Sequence, residues 1–269
     1  MNKYLDLEKT GVFSSIFMDY LSGKYEHPGF FVNQSADDPY ILPAMIPFWV
    51  DGPNTFGLWK HWFVENRSDF FAKQTPEDSY KVQELGKNIE QFIILECFNE
   101  IVSEEDVTDE IEEFLAPLNI DIRFIREIYN QHGDSKDELL NIEYFKDGVP
   151  AIYASPYKKG VFSEEDFDLD GIDLYKYSTT EFSSQELDMI RNRSNAPAWF
   201  KIEKQKDFFY DALGKKDLQS AWLSLNSNGW SFLDARDAII KLADQANDKN
   251  FSILANAWVN LPLHDYGSY

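Results

Sequence analysis

Near the start of the chain the apolar positions recur with helical spacing. Phe13, Ile16, Phe17, Tyr20 and Leu21 fall at i, i+3, i+4, i+7 and i+8, and Gly23 follows as a stop. The pattern then breaks. A stretch rich in Gly, Pro and Asp over residues 27–43 predicts loop, with one short strand at residues 30–32. Across residues 45–63, two aromatic and β-branched runs flank Asp51, Gly52, Pro53 and Asn54, which is strong turn chemistry, so a hairpin is predicted. In its second run Phe56, Leu58, Lys60 and Trp62 alternate with Gly57, Trp59, His61 and Phe63. Both faces carry aromatics, which predicts a strand covered on both sides.

Helical signals follow. Thr75 as N-cap, Pro76 at the first position and Asp78 in a capping-box pattern predict the start of a long helix with Leu85, Ile89, Phe92 and Ile93 inward. Ser103 to Asp106 repeats the start signal, with Val107, Ile111, Phe114 and Leu115 as the next buried face. Residues 118–129 fit two periods: Leu118, Ile122, Ile125 and Tyr129 suit a helix, while Ile120, Ile122 and Phe124 alternate as in a strand. The helix is preferred. A second hairpin is expected from residues 142–145 and 149–153 around Asp147 and Gly148, with Pro150 placing its strand at an edge.

Beyond residue 180 the chain reads as helical. Ser183 with Glu186 forms a capping box, and Leu218, Ala221, Trp222 and Leu225 share one face. Asn228 and Gly229 break that helix and Ser231 with Asp234 restarts the pattern. Phe232, Ala235, Ile239, Leu242 and Ala246 line the next helix; Phe251, Leu254, Ala255 and Trp258 line the last. Residues 221–225 echo residues 257–261, but two copies fall short of the ~3 that a solenoid needs. The echo is read as two similar helices in one bundle. The fold class expected is α+β: a small antiparallel sheet of hairpins packed with helices over residues 1–165, then an all-helical C-terminal part over residues 180–269.

With 43% hydrophobic and 16% aromatic residues in 269, the chain has ample material for a core, which excludes a disordered reading. The single cysteine, Cys97, excludes an intramolecular disulfide; flanked by apolar residues, it reads as a buried, inert thiol. A charged start and the lack of any apolar run near ~18–20 residues predict a cytoplasmic protein that does not engage a membrane. The net charge of −22 is unevenly placed. Residues 1–150 hold 29 acids against 12 bases, and residues 151–269 hold 18 against 13. Such a field disfavours nucleic acid and speeds encounter with basic partners.

Candidate chemistry is sparse. Asp166, Asp168, Asp170 and Gly171 resemble the start of a calcium loop, but the position that needs a bidentate Glu is Tyr177, so an acidic linker is the preferred reading. The four histidines show no metal spacing, and His61 among aromatics reads as structural. Nucleophile-elbow and phosphate-loop motifs are absent. No catalytic residue, metal or cofactor is therefore assigned, although 47 carboxylates leave an acid pair open. The densest feature is acidic: eight acids in residues 100–113. With Val107, Ile111 and Phe114 inward, Glu105, Asp106, Asp109, Glu112 and Glu113 spread over the outer surface, as the candidate residues for binding a basic protein partner. Repulsion between them costs a few tenths of a kcal/mol per pair.

Leu42, Pro43, Ile46, Pro47 and Phe48, then Asp51 and Gly52, then Phe56, Leu58 and Trp59 form a strand, a turn and a second aromatic strand. This segment resembles the SUKH superfamily, which contains bacterial toxin-immunity proteins and relatives of a fungal cell-wall-synthesis regulator. The resemblance spans residues 42–63. It implies an α+β domain that caps a toxin, often a nuclease, without catalysis. The leading expectation is thus a non-catalytic acidic protein-binding module, an immunity protein for a basic toxin. The alternatives are an enzyme with a carboxylate-based site, such as a carbohydrate-active hydrolase, and a regulatory scaffold binding through the C-terminal helices.

Overall fold

Five strands make one antiparallel sheet in the order β1-β2-β3-β4-β5, in a computed structural model that describes residues 3–29, 32–33, 40–146, 148–150, 172–261 and 267–269. Its strands are β1 (Val32–Asn33), β2 (Met45–Asp51), β3 (Asn54–Trp59), β4 (Phe70–Thr75) and β5 (Lys81–Gly86). The predicted hairpin of residues 45–63 is β2–β3, closed by the pair Asp51 and Asn54 with Gly52 at φ +55°. Pro47 cannot donate to a ladder, and the register shifts between Pro47 and Trp49 as a bulge absorbs it. Gly57 lies opposite: a Cβ there would stand 2.1 Å from the Ile46 carbonyl oxygen, so only glycine fits. Burial runs through β2 and β3 on both faces, as expected, and the first predicted helix forms as α1 (Ser15–Leu21), capped by Ser14.

The residues after β4 correct one expectation. Pro76–Asp78 is a single 3-10 turn within the β4–β5 hairpin, and no long helix starts there. The Thr75 side chain makes no cap bond, and Ser79 and Tyr80 turn to positive φ, which a helix cannot continue through. Leu85 belongs to β5. The helix, α2 (Ile89–Glu104), begins only after β5, with Asn88 as its cap, accepting from the Gln91 N–H at 2.9 Å. Ser103 likewise does not start a helix. It lies in α2, which ends at left-handed Glu105, and Thr108 caps α3 (Asp109–Leu115). The ambiguous segment is α4 (Ile122–His132), capped by Asp121.

The expected strand at residues 142–145 is also absent. Glu143–Phe145 is a 3-10 turn, and the Gln91 side chain takes the carbonyls of Tyr144 and Gly148 at 2.9 and 2.8 Å. A side chain from α2 thus occupies acceptors that a ladder would need. Residues 151–153 and most of the calcium-like run lie outside the described residues; Asp173, at its end, caps the 3-10 turn Leu174–Lys176.

The C-terminal helices are α5 (Ser184–Arg191), α6 (Gln205–Gly214), α7 (Leu218–Leu225), α8 (Phe232–Ala246) and α9 (Lys249–Val259). The capping box of Ser183 and Glu186 and the cap at Ser231 form as expected. The fold is α+β, with the sheet and its helices followed by helices alone. The echoed tryptophans have a shared task. Trp222 Nε1 donates to the Lys60 carbonyl at 3.3 Å and Trp258 Nε1 to the Ile41 carbonyl at 2.8 Å, while the Ala44 N–H donates to Asn226 Oδ1 at 2.8 Å. These bonds tie α7 and α9 to the segments that flank the β2–β3 hairpin. Helix α9 also packs on the 3-10 helix Lys3–Thr10, and the buried apolar residues of both parts form one continuous core. Cys97 lies in it on α2, fully buried, and burial pushes its thiol well above the ordinary range. Among the described residues no helix is long and apolar enough to cross a membrane.

Candidate functional site

All five predicted binding residues, Glu105, Asp106, Asp109, Glu112 and Glu113, are exposed. They run from the end of α2, across the turn, along α3. The helix dipole explains part of this placement. Asp109, Glu110 and Glu112 lie in the first turn of α3, where negative charge is stabilised. Glu104 and Glu105 sit at the opposite kind of end, the C-terminus of α2, which has no basic residue in its last turn. Local stability would put a cation there. Among the described residues only Asp106 of the five has an ion-pair partner, Arg126 of α4 at 2.8 Å, and both are exposed, so that pair is worth little.

Behind this face the structure assembles residues that no spacing in the chain connects. Helix α3 and residues 23–28 enclose a cleft of about 330 Å³, lined by Lys24, Tyr25, Glu26, His27, Glu110, Glu113 and Phe114 among others. Its floor belongs to the core. The Tyr20 hydroxyl donates to the Phe114 carbonyl at 2.5 Å, and the His27 ring meets Trp49 and Phe114 edge-on at 4.9 and 5.2 Å. The Gly29 N–H donates to His27 Nδ1 at 3.1 Å, which places the proton of the neutral ring on Nε2. That nitrogen faces buried Glu96 at 3.8 Å. Glu100 packs against Gly29 so closely that a Cβ there would fall 2.3 Å from its carboxylate. Burial raises the Glu100 carboxyl; His27 opposes this, and Glu96, Glu104 and Asp51 add to it. Of these residues the sequence marked Glu100, Glu104, Glu110 and Glu113 as part of the acidic run, Tyr20 and Phe114 as inward helical positions and Asp51 as a turn residue. Residues 23–28 gave no signal beyond the helix stop at Gly23 and loop composition from residue 27.

A second cavity, about 560 Å³, lies elsewhere, between residues 66–70, β5 and residues 177–181. Three of its charges, Arg67, Asp69 and Glu181, are held by neighbouring groups. Arg67 forms a bidentate pair with buried Glu181, with Nη1 to Oε1 at 3.0 Å, and also donates to the Lys176 carbonyl at 2.6 Å. The guanidinium stacks 3.7 Å from the Tyr177 ring centroid. His61 Nδ1 lies 2.8 Å from the Ser68 carbonyl and therefore donates to it, which turns Nε2 toward Glu181 Oε2 at 3.6 Å. Burial alone would raise the Glu181 carboxyl, but Arg67 and His61 outweigh it and hold the group at about 2. Asp69 is held by Lys60 and by the His61 N–H at 2.7 Å. This network joins the loop after β3 to the start of the helical part. Asp69 and Glu181 are thus each met by a cation, and no tryptophan lines the cavity among the described residues.

Among the described residues no grouping of His, Cys, Asp and Glu could hold a metal ion. No family model, curated protein or solved structure matches this chain.

Proposed function

We propose that this chain is a protein-binding module that captures a basic partner on the face formed by the end of α2 and by α3. The observation that carries the reading is the run of exposed acids that continues through the C-terminus of α2, where the helix itself disfavours them. Acids at the start of α3 stabilise the fold; acids at the end of α2 do not, and a cationic partner supplies what the helix lacks. The net charge of −17 over residues 1–150 steers such a partner in. The resemblance of residues 42–63 to the SUKH superfamily supports a concrete version: a cytoplasmic immunity protein that neutralises a basic, nuclease-type toxin. Co-expression with the product of the adjacent gene tests it. A basic toxin whose activity is relieved by this chain is the expected outcome, with association that slows steeply as salt is added. Association indifferent to salt overturns the electrostatic reading.

A further inference from the structure

We infer that the cavity between residues 66–70, β5 and residues 177–181 binds a small monocarboxylate on the second edge of the Arg67 guanidinium. The site is separate from the acidic face and goes beyond the protein-binding reading. An arginine carries five N–H donors in a fixed plane. Three of those of Arg67 are occupied: Nη1 donates to Glu181 Oε1 at 3.0 Å and to the Lys176 carbonyl at 2.6 Å, and Nη2 donates to Glu181 Oε2. Glu181 thus takes the edge made by the two terminal nitrogens. The donors that remain are Nε–H and the second N–H of Nη2. They lie side by side on the adjacent edge, a fork that receives both oxygens of one carboxylate. Neither has an acceptor among the described residues. The unpartnered Nε of Arg236 is sealed from solvent, whereas that of Arg67 is not, and Arg67 lines the cavity. The second edge therefore opens there.

The charge around Arg67 also calls for an anion. Both ring nitrogens of His61 face acceptors, the Ser68 carbonyl at 2.8 Å and the Glu181 carboxylate at 3.6 Å. An acceptor at each nitrogen requires a proton on each. Glu181 is then shared by two cations, and this largely enclosed group keeps one positive charge unmatched, which is costly away from water. Among the other charged residues of the cavity, Asp69 is met by Lys60 and Glu84 has a partner of its own. Lys87 has no acid within ion-pair distance among the described residues and adds a second, exposed cation. A single negative charge suits this balance. The second charge of a phosphate would meet Asp69 and Glu84, so a carboxylate is favoured over phosphate. The receptor is set before binding: Glu181 and the Lys176 carbonyl fix the guanidinium, and its plane rests 3.7 Å from the centre of the Tyr177 ring. A volume of about 560 Å³ is that of a small-molecule pocket.

The probes are benzoate, its neutral isostere benzamide, inorganic phosphate, and an N-blocked tripeptide with either a free or an amidated C-terminus. Each is titrated at fixed ionic strength into the full chain labelled with 15N-arginine. The Nε–H signal of Arg67, assigned through its contacts with the Tyr177 ring protons, reports the second edge directly and needs no variant that endangers the fold. Benzoate is expected to shift it and to bind about tenfold tighter than benzamide. Lys87→Gln, an exposed change, should weaken benzoate about threefold. Lys215→Gln, beyond the end of α6 and outside the cavity, should leave it unchanged. A response to the free peptide acid as well as to benzoate supports the site and extends it to the C-terminus of a protein; a response to benzoate alone supports it as a small-molecule site. An Arg67 signal that no carboxylate moves overturns the inference, as does equal binding of benzoate and benzamide. Tighter binding of phosphate overturns the carboxylate assignment. Equal losses in the two lysine variants also overturn the inference, because the effect would then be diffuse charge. None of these failures touches the acidic face, whose test is the salt dependence of partner capture.

Discussion

Glu181 is a carboxylate almost out of reach of water, with a side chain 4% exposed, and it is kept ionised by Arg67 and His61. Removing one partner of such a pair costs more than the pair contributes, because the other charge remains buried. Arg67→Ala should therefore lower the unfolding free energy by about 3 kcal/mol, read from urea denaturation at neutral pH. The pH dependence has a definite sign. The folded carboxyl titrates at about 2, below its ordinary value of 4.5, so the unfolded chain takes up the proton first as pH falls. The stability from this group is fully present above the ordinary value and is lost as pH falls toward 2. Wild type and Glu181→Gln should thus converge in stability between neutral pH and acid; a constant gap would remove Glu181 from the acid limb. None of this was visible in the chain. Arg67 and Glu181 are 114 positions apart, and only His61, set among aromatics, hinted that a polar group would be enclosed there.

At the scale of elements, legibility followed the locality of the forces. The β2–β3 hairpin was readable because its turn residues and alternating apolar runs are contiguous. So were the caps at Ser183 and Ser231, which act over three residues. Thr75 to Asp78 misled because Pro at the first helical position and an acid in the first turn also suit a 3-10 turn between strands. The deciding residues, left-handed Ser79 and Tyr80, are types that seldom adopt that conformation. Residues 142–145 misled because the competitor for their carbonyls is Gln91, more than fifty positions away. Two substitutions test the elements. Gly57→Ala drives a Cβ into the Ile46 carbonyl across the ladder and should cost about 3 kcal/mol, seen as a lower denaturation midpoint. Asn88→Ala removes the α2 cap and should cost about 1 kcal/mol, with faster amide exchange confined to the first turn of α2.

The whole molecule is held together across the division that composition suggested. Trp222 and Trp258 each bury an indole and donate to the backbone beside the β2–β3 hairpin, from helices that begin more than 150 residues later. Trp258→Ala should cost about 4 kcal/mol and lower the single cooperative transition of the entire chain, rather than release the helices alone; two separated transitions in calorimetry would contradict this. For the same reason a fragment ending near residue 180 is expected to lack fixed near-ultraviolet dichroism. The amphipathic faces of α7 and α9 were legible, but their partners were not, because an apolar stripe carries no address. The acidic face belongs to this scale too. Neutralising Glu105, Asp109 and Glu112 together should slow capture of a basic partner and flatten its salt dependence, while dissociation changes less.

Cys97, enclosed on α2 with its thiol pushed well above the ordinary range, has a practical consequence. A maleimide or disulfide reagent cannot reach it while α2 lies on the sheet, so labelling measures how often the native molecule opens. A single endogenous thiol thus serves as a clock. It should run slower when a partner occupies the acidic face, since α2 and α3 would then have to part from that partner before opening.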